Sequence, residues 1–283
     1  MSVDVEDWFQ VQAYHGLVPR RDWESLDRRV ERNTDRLLEM FDRAGVKATF
    51  FTLGWVAKRH PALVRRIVAG GHELASHGYG HQRVFWIGKA AFRMDIRCAR
   101  RLLEDVAGVP VRGYRAPTFS IDPQRTPWAH AVLAEEGYAY SSSVFPAREV
   151  LSGGGSAPRG PHRPDPNGVL ELPMTAVRIL GRDLPCSGGN WFRQFPYRLF
   201  RAGLLRVNRA EQRPGIFYIH PWEIDPDQPR LPQAGLLTQL RHHNGLRSME
   251  RRLERLLRDF RWDRMDRVFP EATGGTAPHP VTA

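Results

Sequence analysis

Short runs of β-branched and aromatic residues alternate with amphipathic stretches along this chain, and no other feature narrows its fold as much. Ser2 to Glu6 alternates around Val3 and Val5 and predicts a short strand. Asn33 or Thr34 is placed to cap a helix through L-L-E-M-F-D-R-A that Gly45 ends. Val46 to Leu53, V-K-A-T-F-F-T-L, reads as a buried strand. Pro61 opens a helix that stops at Gly70 and Gly71, and the strand H-E-L-A-S then delivers His77 at its end. A long helix from Lys89 to Val106, ended by Gly108, precedes the strand V-R-G-Y-R-A-P, which Pro117 breaks. The helix T-P-W-A-H-A-V-L-A-E-E-G leads to Y-A-Y-S-S-S-V. This order predicts an α/β fold, a parallel sheet or barrel wrapped by helices, with its chemistry at the C-terminal strand ends.

Ser152 to Gly168 is a loop by composition, separating these units from V-L-E-L-P, G-I-F-Y-I-H-P-W-E and a final amphipathic helix, S-M-E-R-R-L-E-R-L-L-R-D-F. The expectation is one domain over residues 1–270, with a C-terminal extension from about 170 and a frayed tail over 271–283.

His77 and His81, in E-L-A-S-H-G-Y-G-H, are four residues apart with glycines between, so both imidazoles can converge on one metal ion. An acid from V-D-V-E-D-W would complete a set of N and O ligands with open positions. Asp4 and Glu6 share one face of the first strand, so one could bind the metal while the other takes a proton from water; Asp7 is a rival ligand if the chain turns after the strand. Arg115, in G-Y-R-A-P-T-F, ends a predicted strand and would orient one of these acids. His220, in F-Y-I-H-P-W-E, is placed to protonate a leaving amine, with Glu223 or Asp225 to tune it. Tyr79, Phe119 and Trp222, with Trp55, Trp86 and Trp191, lie near these segments and suit stacking on sugar faces.

Composition excludes other classes. The net charge of +11 invites a nucleic-acid reading, but of 42 basic residues only Lys47, Lys58 and Lys89 are lysines, and the arginines are spread along amphipathic helices. With no zinc-finger, RNP-like or basic-zipper pattern, no nucleic-acid partner is expected. Cys98 and Cys186 sit in unrelated contexts and form no disulfide framework. There is no transmembrane-length apolar run and no export signal, so the expected location is cytoplasmic.

Taken in order, V-D-V-E-D, K-A-T-F-F-T-L-G, S-H-G-Y-G-H, R-A-P-T-F and Y-I-H resemble the motifs of the polysaccharide deacetylases of carbohydrate esterase family 4, the NodB-homology group. V-D-V-E-D-W-F-Q-V and S-G-G-N-W-F-R-Q-F-P-Y resemble its subgroup associated with exosortase systems and exopolysaccharide production. The resemblance implies a distorted (β/α) barrel of seven strands, a divalent metal, commonly zinc, and hydrolysis of N-acetyl groups on an amino-sugar polysaccharide. It implies Asp4 as general base, Glu6, His77 and His81 as metal ligands, Arg115 as the residue orienting Asp4, and His220 as general acid. An oxyanion would be held by the metal and a backbone N–H near Phe119, with Tyr79, Phe119 and Trp222 against the substrate. Two departures stand out: Asp-x-Glu-Asp replaces paired aspartates, and Ser141 occupies a place where relatives carry an acid. Alternatives are a small-amide, ureide-like amidohydrolase of the same superfamily and a glycan-binding module without turnover.

Overall fold

The computed structural model describes residues 1–147 and 157–274. The start of the expected loop, 152–156, and most of the expected tail, 275–283, lie outside the described residues. Seven short strands pair in one sheet: β1 (Ser2–Val5), β2 (Thr49–Thr52), β3 (Glu73–Ser76), β4 (Gly113–Tyr114), β5 (Tyr140–Ser141), β6 (Leu170–Glu171) and β9 (Tyr218–Ile219). Their order is β6-β5-β4-β3-β2-β1-β9, and every pairing is parallel. The sheet curls into an incomplete barrel with β6 and β9 as its two edges. This is the expected distorted, seven-stranded (β/α) barrel. A separate antiparallel hairpin, β7 (Ala176–Ile179) and β8 (Arg182–Pro185), stands outside it.

Side chains alternate along each strand, and the barrel sorts them. On β2, Phe50 packs outward with Leu37, Met40 and Phe41 of helix α1 (Val30–Arg43), whereas Phe51 packs with Tyr140 and Tyr218 from other strands. Asp4 is in register with Phe51 and buried beside it. On the far side, Leu74 and Tyr114 lie under helices α2 (Gly54–Arg59), α3 (Pro61–Ala69), α4 (Val84–Ala107) and α5 (Ala129–Glu135). Glycines end these units as expected: Gly45 and Gly108 adopt left-handed backbone after α1 and α4.

One local expectation is corrected. Asn33 and Thr34 do not cap α1 but lie inside it, buried; Thr34 Oγ1 donates to the Val30 carbonyl and Asn33 Nδ2 to Asp225 Oδ2. The α1 N-terminus is instead satisfied by Asp7, whose Oδ2 accepts from Arg29 N–H at 2.8 Å and Val30 N–H at 3.1 Å. A carboxylate placed there also suits the positive end of the helix dipole. The long helix expected from Lys89 is present: a short helical segment from Val84 joins it across Gly88, whose φ of +72° breaks the helical backbone between them.

The N-terminal mouth of the barrel is closed by Met265 and Phe269 and organised by Glu73. Glu73 accepts from Thr49 Oγ1 at 2.6 Å, Tyr140 OH at 2.8 Å and Asp266 N–H at 3.2 Å. Burial pushes its pKa up to about 7, reinforced by Asp266. The folded pKa lies above the unfolded one, so folding favours the protonated acid. Stability should therefore fall as pH rises from about 4.5 through 7. The thermal midpoint of the wild type should drop over that window more than that of Glu73→Gln, whose amide mimics the protonated acid. Parallel curves for the two proteins would refute the assignment.

Candidate metal centre

Four strand ends meet at the opposite mouth: Glu6 follows β1, His77 follows β3, Arg115 follows β4 and His220 follows β9. Glu6, His77 and His81 are buried, and a ligand atom from each lies within 4.8 Å of the others, the one such group among the described residues. His77 Nδ1 is 2.9 Å from the Arg115 carbonyl oxygen. A carbonyl only accepts, so Nδ1 carries the proton and Nε2 keeps its lone pair for the site. Burial pushes this imidazole down to about 4, so it is neutral at pH 7, the form that binds metals.

Glu6 divides its two oxygens. Oε1 accepts from Trp222 Nε1 at 3.3 Å and lies 3.5 Å from His220 Nε2. Oε2 is 2.6 Å from His81 Nε2 and 3.9 Å from His77 Nε2, yet it is a buried oxygen without an aligned donor. Ligand atoms crowded together without a hydrogen bond between them fit a shared cation, and two imidazoles with a carboxylate suit a borderline divalent metal. Burial pushes the Glu6 carboxyl up, but His81, His220 and His77 outweigh it and hold the pKa at about 2. Asp7, the rival ligand, caps α1 instead.

The histidine loop is tightly held. Asp95 Oδ2, from α4, accepts from Tyr79 N–H at 2.8 Å, and a Cβ on Gly78, which takes φ +74°, would lie 2.6 Å from that oxygen. His81 itself takes φ +54°, a strained conformation for a non-glycine residue. Nothing in the sequence marked Asp95, because a carboxylate on an amphipathic helix reads as solvated surface.

Arg115 is fully buried. Its Nη1 donates to Asp4 Oδ1 at 2.6 Å and Ser2 Oγ at 2.9 Å, and its Nε to the Ser142 carbonyl at 3.0 Å. The guanidinium lies 4.0 Å from the centre of the Phe51 ring. His220 Nδ1 is 3.1 Å from Glu223 Oε2, and Arg193 Nε donates to Glu223 Oε1 at 3.1 Å. Burial pushes the His220 imidazole down, but Glu6 and Glu223 outweigh it and lift it to about 9. Of the two acids considered for His220, Glu223 is the partner; Asp225 binds Arg29, Arg32 and Asn33. Arg193 was not foreseen, being one arginine among many.

The aromatic residues divide. Tyr79 is partly exposed on the histidine loop, and Phe119 packs against Tyr218 and Phe145. An N–H near Phe119 was expected to face an oxyanion; that of Phe119 itself donates to the Ala116 carbonyl at 3.0 Å within a tight turn. Trp222 is buried rather than presented to a ligand: it holds Glu6 and stacks near-parallel to His220 and His242.

Residues 23–139 match the family model described as polysaccharide deacetylase. That segment is similar to the polysaccharide deacetylases. Residues 142–270 match a domain of unknown function, DUF3473. Among curated relatives, the chain is 31% identical over 96 residues to a peptidoglycan-N-acetylglucosamine deacetylase of Bacillus cereus, covering 34% of this chain and 35% of the relative. It is 29% identical over 146 residues to a chitooligosaccharide deacetylase of Sinorhizobium fredii, covering 51% and 61%. The chain thus spans less than two thirds of either relative. Its fold is similar to that of a Mycobacterium smegmatis protein assigned as a polysaccharide deacetylase (TM-score 0.64, 18% identity, covering 100% and 92% of the two chains). It is similar as well to that of the allantoinase Puue (0.59, 19%, 99% and 90%). The barrel alone therefore does not separate glycan from ureide chemistry.

Arg193→Met should leave Glu223 as a buried acid facing only His220, and removing one partner of a buried pair typically costs about 3–5 kcal/mol. Urea unfolding should show a loss of that order, and a change within about 0.5 kcal/mol, the range of an ordinary surface substitution, would contradict the pairing.

Proposed function

We propose that this chain is a metal-dependent N-deacetylase of an amino-sugar polysaccharide. What carries the reading is the meeting, at one barrel mouth, of the Asp4–Arg115 pair, the Glu6, His77 and His81 set, and His220 backed by Glu223. Glu6, His77 and His81 would hold one divalent cation, for which zinc suits the ligand set; when bound it supplies Lewis acidity and lowers the pKa of water. Asp4 acts as general base, taking a proton from the water that attacks the acetamide carbonyl. Arg115 balances the charge of Asp4 and fixes its orientation. His220 gives a proton to the amide nitrogen as the C–N bond breaks, releasing acetate and a free amine on the sugar. Glu223 on Nδ1 directs the His220 Nε2 toward the reacting group, as an orienting carboxylate does for other catalytic imidazoles.

The curated relatives that carry deacetylase names support an N-acetylated glycan as substrate. The resemblance of V-D-V-E-D-W-F-Q-V and S-G-G-N-W-F-R-Q-F-P-Y to the exosortase-associated subgroup leads to exopolysaccharide production as the setting. Because the constellation draws on both matched segments, residues 1–270 act as one functional unit on this reading. Among the described residues, no helix is long and apolar enough to cross a membrane.

Acetate release from N-acetylglucosamine oligomers by the zinc-loaded protein is the direct test. Asp4→Asn should lower kcat by a factor of about 10² or more while zinc stoichiometry stays unchanged. His77→Ala should lose zinc itself. Acetate release that survives both changes would end the proposal, and a marked preference for allantoin over the oligomers would move it to the small-amide alternative.

A further inference from the structure

The antiparallel hairpin of β7 and β8 stands outside the sheet and supplies no residue to the metal centre. Its strands are in register from Ala176 opposite Pro185 to Ile179 opposite Arg182, so only Leu180 and Gly181 connect them. Both connecting residues take positive φ, +49° and +76°. Such a turn favours asparagine followed by glycine, because left-handed backbone brings an ordinary Cβ too close to the next carbonyl oxygen. Gly181 fits that rule and Leu180 does not. Leu180 is also 98% exposed, so neither backbone preference nor burial accounts for a leucine there. The apolar character continues onto one face of the hairpin, which strand alternation assigns to Val177, Ile179, Arg182 and Leu184. Val177 packs against Gly203 of the helix Tyr197–Leu205, but Ile179 is 43% and Leu184 39% exposed. The surroundings are basic: residues 172–215 contain eight arginines and two acids, Asp183 and Glu211. Arg159 and Arg178 engage Asp183, and Arg159 and Arg213 engage Glu211. Arg182, Arg206 and Arg209 are left exposed, with no carboxylate partner among the described residues. Arg206 lies against the hairpin, its Nε donating to the Arg178 carbonyl at 3.1 Å.

An exposed apolar tip beside guanidinium groups without acids matches the two layers of an anionic bilayer surface, phosphates outside and acyl chains beneath. Like charge opposes a second copy on this surface. A polyanionic glycan would neutralise the arginines but leave the leucine in water. We propose that the β7–β8 hairpin is a docking surface for anionic lipid headgroups, with Ile179 and Leu180 entering the acyl boundary and Arg182 and Arg206 binding phosphates. None of the residues assigned to catalysis takes part, so the docking surface is independent of the deacetylase reading.

The test is co-sedimentation of the full chain with vesicles of phosphatidylcholine, alone or with about one third phosphatidylglycerol. The mixed vesicles should bind about tenfold more tightly or better, and that advantage should shrink as sodium chloride is raised. A protein of net charge +11 adheres to anionic surfaces through charge alone, so the apolar tip needs its own variant. Ile179→Thr combined with Leu180→Asn keeps every charge and should weaken binding to the mixed vesicles about tenfold. Its thermal midpoint should not fall below that of the wild type, since asparagine suits left-handed backbone and threonine suits a strand. Arg182→Gln should weaken the same binding about fivefold. No binding to the mixed vesicles, or undiminished binding by the folded double variant, would overturn the docking surface. Retention on an acidic polysaccharide that the double variant loses to the same extent would overturn it too, because no acyl layer is present there.

Discussion

A guanidinium shut away from water must be surrounded by acceptors, and the way Arg115 meets that demand organises the whole mouth of the barrel. Its side chain reaches Asp4 and Ser2 on β1 and Ser142 after β5, while its own amide donates to the Ser76 carbonyl on β3. Its carbonyl receives the His77 Nδ1 proton. One residue thus positions the proposed base through its side chain and sets the tautomer of a proposed ligand through its backbone. Those two tasks are mechanically linked, so a shift of β4 would disturb both at once.

The distribution of site residues along the chain gives the domain of unknown function a physical role. The deacetylase match contributes His77, His81 and Arg115; residues before it contribute Asp4 and Glu6; the second match contributes His220, Glu223 and Arg193. The second segment also supplies β6 and β9, the two edges of the sheet, and Trp222, which holds one oxygen of Glu6. Neither matched segment contains the complete constellation. The place where Ser141 departs from the family pattern is buried and polar, with Glu171 in register beside it, bonded to His130 and to the Ser143 and Val144 amides. The acid beside His220 comes instead from three residues further along the same loop.

Much of this was legible in the sequence because it depends on local pattern. Alternating strand and helix signals give a parallel α/β sheet, and side chains at strand ends have to gather at one mouth. That logic reached Asp4, Glu6, His77, His81, Arg115 and His220. It did not reach what depends on packing between distant segments. Asp7 looked like a ligand because a strand-end acid resembles any other, and only the approach of α1 gives it amides to cap. Asn33 and Thr34 looked like caps for the same lack of context. Asp95 and Arg193 were invisible among charges of the same kind, since burial distinguishes them and composition does not. Trp222 carries an indole N–H, and an indole beside a carboxylate is held by that bond before any sugar reaches its face.

The pairing of β1 with β9 joins Ser2 and Val3 to Tyr218 and Ile219. A ribosome delivers β1 first, and its partner on that side only after more than two hundred further residues. Until then the nascent chain carries a strand with one open ladder edge, the kind of surface that invites association with other chains. Such remote closure also slows folding, since the loop entropy is lost before the contact forms. Glu6 Oε1 stays without its indole donor over the same interval, because Trp222 follows β9 directly. The last strand to emerge both seals the sheet and finishes the site, so a partly made chain would have neither.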